Sequence, residues 1–226
     1  MEKGGMKMKV KYYGHAAFKI TTDKGTRIIF DPYEAGSYGG AIGYGKITDE
    51  ADIVITSHDH GDHNYTKDIK GHYTLVDKAG AYEIKDVKMN EIPTFHDASG
   101  GKERGNNLLS VISADGLVLA HMGDIGHDLD ADTLKKIGKV DVMLIPIGGF
   151  FTVDAGGAAK IMNAINPSIT IPMHYKTDKC GFPIGTVEEF TKDKMNVQIL
   201  ENQSEIEIKK DALPKSPTIM VLKYAL

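Results

Sequence analysis

Seven consecutive residues, Ser57-His58-Asp59-His60-Gly61-Asp62-His63, bring together three imidazoles and two carboxylates. Neutral imidazole and carboxylate are the donors that divalent cations of intermediate hardness take, so the run reads as a metal site. The spacing is His-x-His-x-Asp-His. In an extended segment His58 and His60 point to one side and grip one cation, while Asp62 and His63, beyond the bend at Gly61, face a second. Asp59 points away from its two neighbours and is expected in solvent or behind the ligands. The pattern therefore implies two metals.

A dinuclear site needs more donors than one run supplies. Three further candidates end apolar stretches: His96 after Ile92-Pro93-Thr94-Phe95, Asp124 after residues 117–123, and His174 after Ile169-Thr170-Ile171-Pro172-Met173. Asp97, next to His96, is an alternative donor at that position. His15, which follows the first apolar stretch, is a candidate proton donor or substrate contact lining the site. Asp31, before Pro32, is placed either to orient a metal-bound imidazole through its second ring nitrogen or to cap a turn. His121 reads as a supporting residue, and His72 and His127 as solvated. Tyr175 either offers a hydroxyl to a developing oxyanion or is merely packed. Cys180, the single cysteine, reads as a half-buried or loop thiol rather than a ligand or nucleophile.

Rigid elements must hold these donors. Residues 8–13, 16–22 and 26–30 alternate as strands, the last two joined by the turn Asp23-Lys24-Gly25. Residues 34–48 hold five glycines without periodicity and read as a loop, a cover over a site. Short apolar strands follow at 52–56, 73–76, 82–84, 107–113 and 117–121. The second half alternates helices at 130–137, 155–165 and 187–194 with strands at 140–147, 168–173, 197–201, 205–209 and 218–224. No linker divides the chain, so a single α/β (α+β) domain over residues 1–226 is expected, with two mixed sheets packed face to face and helices outside.

Composition narrows the function. With 41% hydrophobic residues and no apolar run of membrane-spanning length, a globular protein with a proper core is expected. The 27 basic and 31 acidic side chains give a formal charge of -4, which weighs against a nucleic-acid backbone as substrate. Residues 1–8 lack a secretory signal, and the lone cysteine leaves no disulfide, so the expected setting is cytoplasmic. A Gly-x-Ser-x-Gly elbow is also absent, in keeping with a nucleophile that is not a side chain.

His-x-His-x-Asp-His followed by a distant His, a Gly-Asp pair and a final His resembles the metallo-beta-lactamase superfamily. The resemblance implies a four-layer αββα sandwich, with His58, His60 and His96 on one metal and Asp62, His63 and His174 on the other. Asp124, preceded by Gly123, would bridge them. The stretches Gly14-His15-Ala16-Ala17-Phe18, Phe30-Asp31-Pro32, Leu144-Ile145-Pro146-Ile147-Gly148-Gly149 and Ile171-Pro172-Met173-His174-Tyr175 are similar to the branch of UPF0173-like and ascorbate-phosphate-lactonase-like metal-dependent hydrolases.

Two divalent ions roughly 3.5–4 Å apart would share a water and bring its pKa towards about 7, giving hydroxide at neutral pH. A small ester, lactone or phosphoester is the expected substrate, with Asp62, His15 or a metal-bound water returning the proton to the leaving group. Zinc is the first expectation for the metals, with manganese or iron as alternatives, since an all-His/Asp site suits all three. The partner is a small molecule, neither membrane nor nucleic acid, and a homo-oligomer is compatible with the sequence. The competing readings are a di-iron redox protein and a metal-holding sensor without turnover. In the redox proteins of this fold a glutamate typically takes the second histidine of the motif, which here is His60.

Overall fold

The computed structural model describes residues 5–226. Among the described residues fourteen strands form two sheets. The first has the order β13-β1-β2-β3-β4-β5, built from β1 (Lys7–Gly14), β2 (Ala17–Thr21), β3 (Arg27–Phe30), β4 (Ile53–Ile55), β5 (Thr74–Val76) and β13 (Glu205–Lys209). The second has the order β12-β14-β11-β10-β9-β8-β7-β6. Its strands are β6 (Gly80–Ile84), β7 (Val87–Phe95), β8 (Asn106–Ala114), β9 (Leu117–His121), β10 (Val142–Pro146), β11 (Ile169–Met173), β12 (Val197–Leu200) and β14 (Thr218–Leu222). Both sheets are mixed: β1-β2-β3 and β6-β7-β8-β9 are antiparallel, whereas β3-β4-β5 and β9-β10-β11-β14 are parallel.

Alternation along the first sheet assigns its two faces. Val10, Tyr12, Phe18, Ile20, Ile28, Phe30, Ile53 and Ile55 enter the large core shared with the second sheet. Their neighbours Tyr13, Ala17, Ile29 and Val54 turn to the other face, where Tyr33, Ile42, Tyr44, Ile47 and Ile184 cover them from loops. Three helices, Ala131–Ile137, Ala155–Ile165 and Val187–Thr191, place Ile137, Ala158, Ile161 and Phe190 into the large core. The expected sandwich of two mixed sheets with outer helices is present, with loops as the main cover of the six-stranded sheet. No described helix is long and apolar enough to cross a membrane.

Most elements match the sequence reading to within a residue or two. Asp130 and Asp154 cap their helices by accepting from the Thr133 and Gly157 amides. The helix expected at 187–194 ends at Thr191, because Lys192 leaves the helical region and Asp193 adopts φ 60. β7 runs nine residues where only its last four stood out in the sequence. Its buried Glu91 and its Pro93 break the hydrophobic alternation that would have marked it.

Candidate metal centre

Every candidate donor follows the C-terminal end of a strand: His15 after β1, the His58–His63 run after β4, His96 after β7, Asp124 after β9 and His174 after β11. Strand ends at one rim of a sandwich fix position while the loops beyond supply reach. The chain turns sharply there. His15, Asp31 and His174 hold φ values of 54, 42 and 52, a left-handed backbone that costs a non-glycine residue about 1–3 kcal/mol and clusters at functional sites. The His174 amide donates to the His15 carbonyl at 2.8 Å, tying the rims of the two sheets together.

Nitrogen and oxygen atoms of three groups lie within 4.8 Å of one another: His58, His60 and His96; His58, His63 and Asp124; and His15, Asp62, His63 and His174. His58 and His63 belong to two groups each, so the groups are contiguous. The Asp124 Oδ2 atom stands 3.2 Å from His63 Nε2 and 3.3 Å from the Nε2 atoms of His96 and His174. One carboxylate thus faces a histidine of one expected set and two of the other, the placement a bridging ligand requires. The structure brings together all seven residues singled out as metal donors, and adds His15 to the group of Asp62, His63 and His174.

The hydrogen bonds behind these residues set which ring nitrogen is free. Asp31 accepts from the Ser57 amide at 2.7 Å, from Ser57 Oγ at 2.7 Å and from His63 Nδ1 at 2.9 Å. A carboxylate only accepts, so His63 Nδ1 carries the hydrogen. Since the Ser57 hydroxyl hydrogen goes to Asp31, its oxygen accepts from His58 Nδ1 at 2.9 Å. One buried carboxylate therefore fixes two imidazoles, and both present Nε2 forward. The orienting reading of Asp31, not the turn cap, describes this contact. Asn107 performs a related task for Asp124, accepting from its amide at 2.8 Å.

A divalent cation fits these donors. Buried polar atoms nearly always have partners, yet His58 Nε2, His63 Nε2 and Asp124 Oδ1 have none. All three converge where a cation would accept their lone pairs. Burial pushes His58 down to about 3 and lowers His60 as well, which keeps both rings neutral, as ligands must be. Burial opposes charge on Asp124 too, but His174 and His63 outweigh it and hold the carboxyl well below its usual range. At His63 burial likewise opposes the charged form, and the Asp124 and Asp62 carboxylates still raise its pKa well above normal. With Nδ1–H already on Asp31, that charge is a proton on Nε2, which a cation binding there would displace.

Asp62 Oδ2 accepts from His15 Nε2 at 3.1 Å, and its Oδ1 accepts from the Tyr38 hydroxyl at 3.1 Å. Burial, then the neighbouring His174, lowers His15 to about 4, so its ring is neutral. Asp97 is no alternative to His96: its carboxylate accepts from the amides of Ser99, Gly101, Glu103 and Arg104 and is held down to about 2 by them. His121 is a structural residue, with Nε2 on the Ala16 carbonyl at 2.9 Å, Nδ1 on the Gly123 amide and its ring stacked on Phe30. His127 accepts from the Phe95 amide at 3.2 Å beside His96, so it is not merely solvated. Tyr175 is buried, tilts against Tyr12 at 6.5 Å between ring centroids and does not line the metal-donor cleft, so it is a packed residue.

The metal-donor cleft has a volume of about 370 Å³, within the range of small-molecule sites. Besides donors it is lined by Tyr38, Glu103, Arg104, Phe151 and Phe182. Tyr38 comes from the glycine-rich stretch expected to cover a site, and Phe151 from the segment after Gly149. Glu103, Arg104 and Phe182 were not singled out from the sequence. Arg104 had one available signal, being one of only two arginines in a chain rich in lysine.

A beta-lactamase superfamily domain matches residues 9–174. The UPF0173 metal-dependent hydrolase of Thermococcus onnurineus is 34% identical to the chain, the alignment spanning 86% of this chain and 96% of the relative. That of Pyrococcus abyssi is 32% identical, spanning 89% and 100%. The crystal structure of a metallo-beta-lactamase superfamily protein from Thermotoga maritima superposes with a TM-score of 0.79 at 30% identity, over 95% of this chain and 97% of that one. Identity above 30% over 86% or more of the chain, together with a donor set at the strand ends, places the chain in the UPF0173 metal-dependent hydrolase family of the metallo-beta-lactamase superfamily.

Proposed function

We propose that this chain is a dinuclear metal-dependent hydrolase that cleaves a small ester, lactone or phosphoester. The observation that carries the reading is the contiguity of the donor groups around Asp124 Oδ2, with buried ring nitrogens that have no other partner. His58, His60 and His96 would hold one ion and Asp62, His63 and His174 the other, with Asp124 shared. When bound, the pair supplies hydroxide at neutral pH and polarises the oxygen of the bond under attack. Zinc has the support of the Thermotoga maritima relative, which is named a putative zinc-dependent hydrolase.

The chain's own residues supply orientation and proton handling. Asp31 and Ser57 lock the tautomers of His63 and His58. Burial opposes the charge on Asp62, and His63 and His15 outweigh it, so the carboxylate stays ionised, as a metal ligand must be. His15, neutral and held against Asp62 Oδ2, fixes that carboxylate from behind: it is fully buried and does not line the cleft, so it orients a donor rather than touching substrate.

The test is a panel of chromogenic lactones, esters, phosphodiesters, thioesters and beta-lactams on zinc- and manganese-loaded protein. His60→Ala and Asp124→Ala should each lose bound metal and all turnover. Full activity in either variant, or a panel untouched by the wild-type protein, would sink the assignment.

A further inference from the structure

The cleft is built differently at its two ends. At one end Phe182 packs edge-on against Tyr38 at 5.4 Å and Phe151 at 5.3 Å between ring centroids, and its ring lies 5.8 Å from His15. Tyr38 also donates to Asp62. This aromatic wall therefore adjoins the group formed by His15, Asp62, His63 and His174. Aromatic faces and edges of this kind favour flat or apolar groups.

The other end carries an arginine and a glutamate side by side. Residues 97–105 form a loop directly after His96, closed by the four amide bonds to the Asp97 carboxylate at 2.8–3.0 Å. Two of those amides belong to Glu103 and Arg104, so the clasp fixes the backbone from which both side chains reach the cleft. The Glu103 carboxylate is engaged by the Ser99 hydroxyl at 2.7 Å and stands 3.7 Å from Arg104 Nη1, beyond hydrogen-bond range. Among the described residues the Arg104 guanidinium makes no hydrogen bond, although it carries five donors in a planar fork. Arg27, the other arginine, spends its donors on Asp52 and Glu50. A rigidly presented guanidinium that has one carboxylate at ion-pair distance and all five donors free of hydrogen bonds is suited to a carboxylate or phosphate, which it meets in bidentate fashion.

We propose that Arg104 binds an anionic group of the substrate, carboxylate or phosphate, while Tyr38, Phe151 and Phe182 pack on a flat apolar part at its opposite end. The scissile bond then lies between these ends, across the metal donors. The substrate class is an anionic ester, lactone or phosphoester small enough for a cleft of about 370 Å³. This inference rests on the hydrolase reading, and the experiment separates the two.

Mono-4-nitrophenyl succinate and 4-nitrophenyl butyrate differ by a terminal carboxylate, and both are assayed on metal-loaded protein. Wild type should favour the succinate ester in kcat/KM by about tenfold or more, the worth of one charged hydrogen bond. Arg104→Ala should bring that ratio near unity through KM, Arg104→Glu should invert it, and Arg104→Lys should keep part of it. Calorimetric binding of phenylacetate and of phenyl phosphate to wild type and Arg104→Ala reads the same contact without turnover. The anion whose affinity falls about tenfold in the variant names the group recognised. If neither ester is cleaved, the calorimetry alone decides on Arg104, while the hydrolase reading stands or falls on the full substrate panel. A preference that survives Arg104→Ala, or equal binding of both anions to the two proteins, overturns the proposal.

Discussion

Asp31 is the residue on which the site's order most depends. It touches no substrate, yet its two oxygens hold the Ser57 amide, the Ser57 hydroxyl and the His63 imidazole. Asparagine at this position tolerates the left-handed backbone, φ 42, that Asp31 adopts. It cannot satisfy the contacts, because its amide nitrogen must face a donor. Asp31→Asn should therefore keep the fold while weakening metal binding about 10–100-fold, the usual effect of losing a partner behind a ligating histidine. Competition against a metallochromic indicator measures this, and unchanged affinity with normal circular dichroism would contradict it. At this scale the sequence was largely legible, since His58, His60, Asp62 and His63 announce themselves by density. Arg104 and Phe182 were not, because a lone arginine or phenylalanine in a loop gains meaning only from what the fold sets opposite it.

Strand ends do the assembling at the next scale, and the close approaches there leave no room for side chains. A Cβ on Gly126 would stand 2.4 Å from the His96 carbonyl carbon and 2.5 Å from the Asp97 amide. Gly126→Ala should thus push the end of β7 outward, costing about 1–3 kcal/mol and loosening His96 and the Asp97 clasp together. A lowered Tm accompanied by loss of metal is the expected signature; a Tm within a degree of wild type would refute the crowding. Strands such as β1 and β9 were readable because their alternation is clean. β7 was not, since Glu91 and Pro93 interrupt it, and the helix expected to reach 194 stops early because Lys192 turns to extended backbone. Composition cannot show that loops, rather than helices, cover most of the six-stranded sheet. That cover is set by tertiary packing of Tyr33, Ile42, Tyr44 and Ile47.

For the whole molecule, Glu91 marks where stability and pH meet. It is buried in the core, receives only the Ser110 hydroxyl at one oxygen, and burial pushes its carboxyl from 4.5 up to about 8. An acid whose pKa is higher in the fold keeps a proton that the unfolded chain releases. Stability should therefore fall as pH rises from about 4.5 to about 8, by about 1.4 kcal/mol per unit from this one group within that window. Glu91→Gln, which stays neutral, should flatten this slope in urea unfolding at pH 5 and pH 8, and an unaltered slope would contradict the assignment. Bound metal acts on the same balance, stabilising the folded state by mass action, so a chelator should lower Tm.

The centre itself is tested most directly by counting its ions. Elemental analysis of protein loaded with zinc or manganese and freed of excess by dialysis should give two divalent ions per chain. One ion per chain, or none, would contradict a dinuclear centre assembled around Asp124.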